Sequence, residues 1–302
     1  MTDAPYQVLL YYLYCDIADP EQYRDEHREL CEKLELLGRI IVGKEGLNGT
    51  LSGTPENCQA YMDAMKADAL TAEVEFKIDP SDVHVFPKLS IKARDEIVTL
   101  GLADDFSPTE TTGKYLEPTE WRDAMKDPDT VIIDARNDYE WGLGRFKDAI
   151  LPPVNSFREL PQWIKDNRNL FEGKRVLTYC TGGIRCEKFS GYLVREGFDD
   201  VSQLHGGIVK YGKDPEVQGE DYEGQCYVFD QRVGVPVNSK NPSIVARCTH
   251  CDTPIERYVN CANKECNEQH FSCEACEETH HRCCSNTCEE IYIAKFAPDL
   301  NA

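Results

Sequence analysis

The stretch Val176-Leu177-Thr178-Tyr179-Cys180-Thr181-Gly182-Gly183-Ile184-Arg185 decides how the centre of this chain is read. Val176 to Tyr179 is a short apolar run of strand type. Gly182 and Gly183 break it, and Phe189, Tyr192, Leu193 and Val194 then recur at helical spacing. Upstream, Val131-Ile132-Ile133-Asp134 is another such strand. Downstream, Gly197 ends the helix, and Val201-Ser202-Gln203-Leu204 is a third strand before His205-Gly206-Gly207. Strands alternating with helices predict an α/β domain on a mostly parallel sheet. Such sheets place ligands at the carboxyl ends of their strands, which is where Cys180 falls.

A thiol at that position meets converging backbone N–H groups and the start of a helix, with Arg185 close behind. All three favour the thiolate, so the pKa of Cys180 is expected below the ~8.5 of a free cysteine. The two glycines let the loop curl with its amides inward. Thr181, Gly182, Gly183, Ile184 and Arg185 would then cradle whatever the sulfur carries. The spacing is Cys-x4-Arg, a shorter loop than the Cys-x5-Arg with which cysteine phosphatases encircle phosphate, and it suits a bound sulfur better. The plainer alternative, an inert buried thiol, fits poorly with an arginine at a helix start. Cys186 follows Arg185 directly. It is either a resolving thiol for Cys180 or a small residue packed in the first helical turn, and sequence distance does not choose between them.

Towards the N-terminus, residues 7–14 form a largely apolar strand, and Tyr23, His27, Leu30, Cys31, Leu34 and Leu37 recur at helical spacing. Arg39 to Val42 and Leu47 to Leu51 are strands, with Gly43, Gly46, Asn48 and Gly49 as turn residues. A second helix follows Thr54-Pro55, with Cys58, Tyr61, Met62 and Met65 on one face, and Val74, Phe76 and Ile78 alternate as a fourth strand. The order β-α-β-β-α-β predicts a ferredoxin-like α+β domain. Alternation continues from Phe86 to Arg94, either as an edge strand guarded by lysines or as a small phosphate-binding face. Asp104 to Gly113, rich in Asp, Thr and Pro, reads as linker. The expected division is a ferredoxin-like domain over 1–100, a linker over 101–116, the α/β domain over 117–220 and a cysteine-rich, loop-dominated segment over 221–302.

The start Met1-Thr2-Asp3-Ala4 has no signal-peptide character, and no apolar run approaches the ~20 residues of a membrane span. The expectation is a cytoplasmic protein with no membrane partner. Nine of the fifteen cysteines lie between Cys248 and Cys288. In a reducing compartment they are metal ligands, catalytic thiols or core residues rather than disulfides. The pattern Cys248-x2-Cys251, Cys261-x4-Cys266, Cys273-x2-Cys276 and Cys283-Cys284-x3-Cys288 has zinc spacing. Two four-cysteine sites can be drawn from Cys248, Cys251, Cys261, Cys266, Cys273, Cys276, Cys284 and Cys288, with His250, His270, His280 and His281 as substitutes. Apolar content is thin (Ile255, Tyr258, Val259, Phe271), which favours a structural zinc staple. The competing reading is a set of reduced or disulfide-bonded cysteines around a loop-rich cap.

Several of these runs carry a resemblance. Val131 to Arg136, Glu140, Gly144 to Ala149, the 180–185 loop and Leu204-His205-Gly206-Gly207-Ile208 resemble, in that order, the two halves of a rhodanese domain over about residues 115–215. Glu45-Gly46-Leu47-Asn48-Gly49-Thr50, the loop extended to Cys186-Glu187-Lys188 and the cysteine-rich tail widen the likeness. Nearly the whole chain resembles the rhodanese-like tRNA uridine hydroxylases (the TrhO family). That resemblance implies an oxidoreductase that forms 5-hydroxyuridine at the tRNA wobble position, with molecular oxygen as co-substrate, tRNA as partner and Cys180 as the essential cysteine.

The residues themselves do not explain hydroxylation. The sequence holds no glycine-rich dinucleotide fingerprint, so no nucleotide cofactor is seen, and no two-His-one-carboxylate iron pattern stands out among seven histidines. His84 and His205 read as structural. The expected core of the mechanism is a Cys180 thiolate, bare or persulfidated, that adds to C6 of uridine so that C5 becomes electron-rich; a sulfur or electron donor protein would complete it. The runner-up is a rhodanese-type sulfurtransferase that passes persulfide sulfur to an acceptor, against which the flanking segments argue. A non-enzymatic redox or zinc-dependent binding module is the third reading, against which the intact Cys-x4-Arg loop argues. A net charge of −21 excludes nucleic-acid binding by bulk attraction. Few phosphate contacts are expected, from Lys88, Lys92, Arg94, Arg136, Arg145 and Arg185.

Overall fold

A computed structural model describes residues 4–296. The chain begins with β1 (Tyr6–Tyr14), whose faces differ: Leu9 and Tyr11 are fully buried, while Leu10 and Tyr12 are half-buried. Next comes α1 (Pro20–Lys33), capped by Asp19, which accepts hydrogen bonds from the N–H groups of Glu21 and Gln22. β2 (Leu37–Gly43), β3 (Gly46–Gly53), α2 (Pro55–Ala67), β4 (Lys77–Ser81) and β5 (Leu89–Ala93) follow. The sheet order is β4-β1-β3-β2-β5, antiparallel except that β5 runs parallel to β2. This is the ferredoxin-like arrangement with one added edge strand. α1 and α2 cover one face, where Leu9, Tyr11, Cys31, Ile40, Val42, Cys58 and Tyr61 form a core. Among the described residues, the opposite face carries no helix of this unit.

Two boundaries differ from the sequence reading. Helix α1 stops at Lys33, and Leu37, read as part of its apolar face, begins β2 after Glu35 takes φ +50°. The fourth strand is Lys77–Ser81, not a run from Val74. The Val74 N–H instead donates to the Thr71 carbonyl at 3.0 Å, a turn that tucks Val74 into the core. A buried turn residue followed by a short strand mimics strand alternation.

Beyond the linker, β6 (Lys114–Leu116), α3 (Pro118–Ala124), β7 (Thr130–Asp134), α4 (Asp138–Trp141), β8 (Gly144–Phe146), α5 (Leu160–Asp166), β9 (Arg175–Tyr179), α6 (Ile184–Arg195), β10 (Val201–Leu204) and α7 (Gly207–Lys213) build the second unit. Its sheet, β6-β10-β9-β7, is parallel throughout, with an apolar core on each face. Lys114–Leu116, read as the last of the linker, is in fact an edge strand of this sheet. Val194 is 39% exposed, so the apolar face of α6 rests on Phe189, Tyr192 and Leu193.

The rest is loop-rich. β11 (Tyr222–Tyr227) pairs with β8 and with β12 (Gly234–Pro236), and β13 (Tyr258–Asn260) with β14 (Gln269–Phe271) makes a hairpin ahead of α8 (Glu274–Thr279) and α9 (Asn286–Phe296). Among the described residues, no helix is long and apolar enough to cross a membrane.

Candidate active site

Cys180 directly follows β9 and is fully buried. The Gly183 N–H donates to its Sγ at 3.2 Å. Gly183 has φ +107°, and a Cβ there would lie 2.7 Å from the Tyr12 hydroxyl, so only glycine fits. From below, α7 ties off the loop carbonyls: the Ile208 N–H donates to the Cys180 oxygen at 3.0 Å and the Val209 N–H to the Thr181 oxygen at 3.1 Å. Gly207 makes that approach feasible, since at φ +67° its Cβ would stand 2.6 Å from both oxygens. With the carbonyls satisfied on one side, the loop amides are left for the sulfur.

Arg185 is buried, and its guanidinium forks onto Glu140, Nη1 to Oε2 at 2.5 Å and Nη2 to Oε1 at 2.7 Å. Nη2 also reaches the Thr181 hydroxyl at 3.3 Å. Burial pushes the Cys180 thiol up. The Cys186 thiol, the Arg185 charge and the N–H groups of Cys186 and Gly183 more than reverse that, bringing the pKa down to about 6. Burial and then the neighbouring Cys180 sulfur raise Cys186 well above the usual thiol range, so it stays protonated as a donor to Cys180.

Above Cys180 a cavity of about 430 Å³ opens between this loop and the helix-free face of the first sheet. Its roof is Leu10, Tyr12, Asn48, Thr50, Arg39 and Ile41; its floor is Cys180, Thr181, Gly182, Ile184 and Arg185; Tyr139, Phe157 and Phe229 stand at the sides. The two halves are joined around it. The Tyr12 hydroxyl donates to Glu187 at 2.9 Å, and Lys188, fully buried, lies 2.8 Å from Glu45, 2.8 Å from Glu96 and 3.0 Å from Asp105. Sequence reading left Tyr12, Arg39, Tyr139 and Phe229 without a role, and Asn48 with only a turn. The run Glu45 to Thr50 was the available signal, because Glu45 docks onto Lys188 while Asn48 and Thr50 line the cavity.

Two expected phosphate contacts are not available. Arg136 is fully buried, held by Asp134 at 2.9 and 2.7 Å and by the Gly144 carbonyl at 2.7 Å. Arg185 is committed to Glu140. An exposed arginine in a short motif and a buried one look alike in sequence. Arg145 donates weakly to the Trp141 carbonyl at 3.4 Å, while Lys88, Lys92 and Arg94 are exposed. His84 bonds Ser52 at 3.0 Å and His205 bonds Glu117 at 2.6 Å, and neither lines the cavity.

The eight tail cysteines gather as two interleaved groups, the first pair with the third (Cys248, Cys251, Cys273, Cys276) and the second with the fourth (Cys261, Cys266, Cys284, Cys288). Within each group the sulfurs lie within 4.8 Å of one another. The nearest contacts are Cys251–Cys273 at 3.7 Å, Cys266–Cys284 at 3.7 Å and Cys284–Cys288 at 3.6 Å. Four thiolates at ~2.3 Å around a tetrahedral zinc stand about 3.8 Å apart, so both groups fit that ion. Each repeats one detail: the third cysteine's N–H faces the first sulfur, Cys273 to Cys248 at 3.5 Å and Cys284 to Cys261 at 3.4 Å. The histidines are not needed as substitutes: His250 bonds the Cys283 carbonyl at 2.9 Å and stacks on His280. The hairpin of this module reaches the site, where the Tyr258 hydroxyl donates to the Tyr139 carbonyl at 2.5 Å, next to Glu140.

Comparison with known proteins agrees with this layout. Residues 6–97 match the model of the UPF0176 acylphosphatase like domain, residues 117–214 that of the rhodanese-like domain, and residues 223–289 that of the rhodanase C-terminal region. A tRNA uridine(34) hydroxylase of Bacillus cytotoxicus is 60% identical over 284 residues, covering 94% of this chain and 88% of that protein. The chain belongs to the tRNA uridine(34) hydroxylase family. A second member of the family, from Bacillus mycoides, is 59% identical over 287 residues, with 95% and 90% covered. Among solved structures, the rhodanese-like domain of an Anabaena protein aligns with 48% of this chain and all of that chain, at 17% identity and a TM-score of 0.31.

Proposed function

We propose that this chain hydroxylates C5 of the wobble uridine of tRNA, with the Cys180 thiolate as nucleophile. The observation that carries the reading is a thiolate-favouring loop at the floor of a cavity, in a chain of this family. Addition of Sγ to C6 of the base places an electron pair on the C5 enolate, which attacks molecular oxygen. One oxygen atom stays at C5. The other leaves as water after two electrons and, in net terms, two protons arrive from a donor. Loss of the C5 proton then expels the Cys180 thiolate and restores the ring. Arg185 and the Thr181–Ile184 backbone hold the sulfur anionic, Cys186 is the resolving thiol if Cys180 is oxidised, and the electrons come from a sulfur or electron donor protein.

In this reading the reaction takes place in the cytoplasm, and the two cysteine groups hold structural zinc, which would staple a segment too thin in apolar residues to fold alone. The chain would divide into units at 1–100, 117–220 and 221–302, joined by 101–116, whose Lys114–Leu116 adds an edge strand to the second unit. The test is nucleoside mass spectrometry of tRNA from cells lacking this protein and any redundant pathway. Rescue by the wild-type chain but not by Cys180→Ala is expected. Undiminished 5-hydroxyuridine in the cells lacking the protein would overturn the reading in favour of a sulfurtransferase, and undiminished 5-hydroxyuridine with Cys180→Ala would remove Cys180 as the nucleophile.

A further inference from the structure

We infer that the helix-free face of the first sheet is the surface that receives the RNA strand, with Arg39 and Lys92 as phosphate contacts and Phe229 as the stacking residue at the cavity mouth. This rests on the hydroxylation reading above and states how its substrate is held. Strand register lays out the surface. Tyr12 stands opposite Asn48, Asn48 opposite Ile41 and Ile41 opposite Lys92. The next row runs Leu10, Thr50, Arg39 and Ser90. Side chains on one face share alternate positions, so both rows point away from α1 and α2. The rows begin over Cys180 and reach Lys92 on β5 and Arg39 on β2.

Charge gives the choice of partner. The chain carries 54 acidic residues against 33 basic ones, yet across β1, β3, β2 and β5 no carboxylate occupies a position on this face. Arg39 and Lys92 are both exposed, and among the described residues neither has an ion-pair partner. On the other flank, Lys77 is paired in register with Leu10 and lies 5.1 Å over the Tyr12 ring. The one carboxylate that β4 places on this face, Asp79 opposite Val8, is neutralised by Lys213 and Arg232. A locally cationic face on a chain of net charge −21 selects a polyanion by position, not by bulk attraction. Phe229 is 47% exposed although it lines the cavity, and its ring is supported edge-on by Tyr227 at 5.2 Å. An exposed aromatic beside a sheet with flanking cations is the arrangement that holds unpaired nucleotides, in which stacking and phosphate contacts share the affinity. A base swung out of a loop would enter the cavity, its backbone lying across Arg39 and Lys92.

The test uses the full chain and a labelled anticodon stem-loop RNA with uridine at the wobble position. Arg39→Glu with Lys92→Glu is expected to raise the dissociation constant roughly tenfold per residue. It should also flatten the slope of log K against log salt by about 0.7 for each lost phosphate contact. Phe229→Ala should weaken binding with the salt slope unchanged. The charge-neutral pair Arg39→Gln, Lys92→Gln must weaken binding as well. If only the glutamate pair does so, long-range repulsion suffices and the contact assignment falls. Unchanged affinity and slope in either pair would also overturn it. Cys180→Ala serves as the control: it should bind this RNA normally. If it hydroxylates as well, the chemical reading fails while the binding surface stands.

Discussion

Lys188 Nζ lies 2.8 Å from the Glu45 carboxylate, and this contact joins the two segments that most mark the chain, the Glu45–Thr50 run and the Cys180–Lys188 loop. Lys188 is fully buried and also holds Glu96 and Asp105, so one cation serves three carboxylates from outside its own domain. Burial raises Glu45 above the usual carboxylate range despite the lysine. The active-site helix thus anchors the roof of its own cavity.

Removing that cation exposes its role. Lys188→Ala would leave three clustered acids without compensation, and loss of one partner from a buried ionic group costs about 3 kcal/mol or more. Urea unfolding should show that loss, and the deficit should shrink as the pH falls and Glu45, whose pKa burial already raises, becomes protonated. An undiminished midpoint at neutral pH would contradict the docking role.

The thiol loop gives a pH prediction. Because the Cys180 pKa is lowered to about 6, the thiolate is present above that pH and is lost below it. In wild-type protein kcat/KM should therefore be level near pH 8 and fall as pH drops through about 6. Arg185→Lys keeps a charge but loses the fork onto Glu140. Its favourable effect on the thiolate weakens, so the midpoint should move upward, with kcat/KM at pH 7 reduced at least tenfold. A profile unmoved by the substitution would detach Arg185 from thiolate stabilisation.

These two cases show what sequence can and cannot carry. The Cys180 loop was legible because its parts are contiguous: strand end, glycines, helix start and arginine all lie within one run. The roof was not legible, because Tyr12, Arg39 and Asn48 meet only through the register of three strands. Arg136 looked like a phosphate contact because no local pattern announces that Asp134 and the Gly144 carbonyl enclose it. The tail gave its eight cysteines by spacing alone. The first and third pairs, both Cys-x2-Cys, already formed a zinc signature by spacing. Spacing did not say that the second pair combines with the fourth, which follows from how the β13–β14 hairpin folds back.

Metal content tests the tail. Protein made in metal-replete medium should carry two zinc ions per chain by elemental analysis, and Cys276→Ala should carry one. Chelation should lower the melting temperature, since structural zinc supplies folding free energy directly. It should also impair catalysis in part, through the Tyr258–Tyr139 contact beside Glu140. Zinc-free protein of unchanged stability would refute the assignment.

Gly207 gives a test remote from the reacting atoms. Gly207→Ala forces a side chain into the left-handed region and within 2.6 Å of the Cys180 and Thr181 carbonyls. Strain of this kind costs about 1–3 kcal/mol, and displacement of the loop should cut kcat far more than it raises KM. Equal kcat in the variant would show that α7 does not hold the loop.

In the proposed reaction the Cys180 thiolate drives oxygen insertion at C5. Purified protein, a wobble-uridine stem-loop RNA, a dithiol reductant and ¹⁸O₂ gas test it in one reaction read by nucleoside mass spectrometry. Wild-type protein should give 5-hydroxyuridine carrying one ¹⁸O atom, and Cys180→Ser none. Label drawn from water, or equal labelled product from Cys180→Ser, would contradict it.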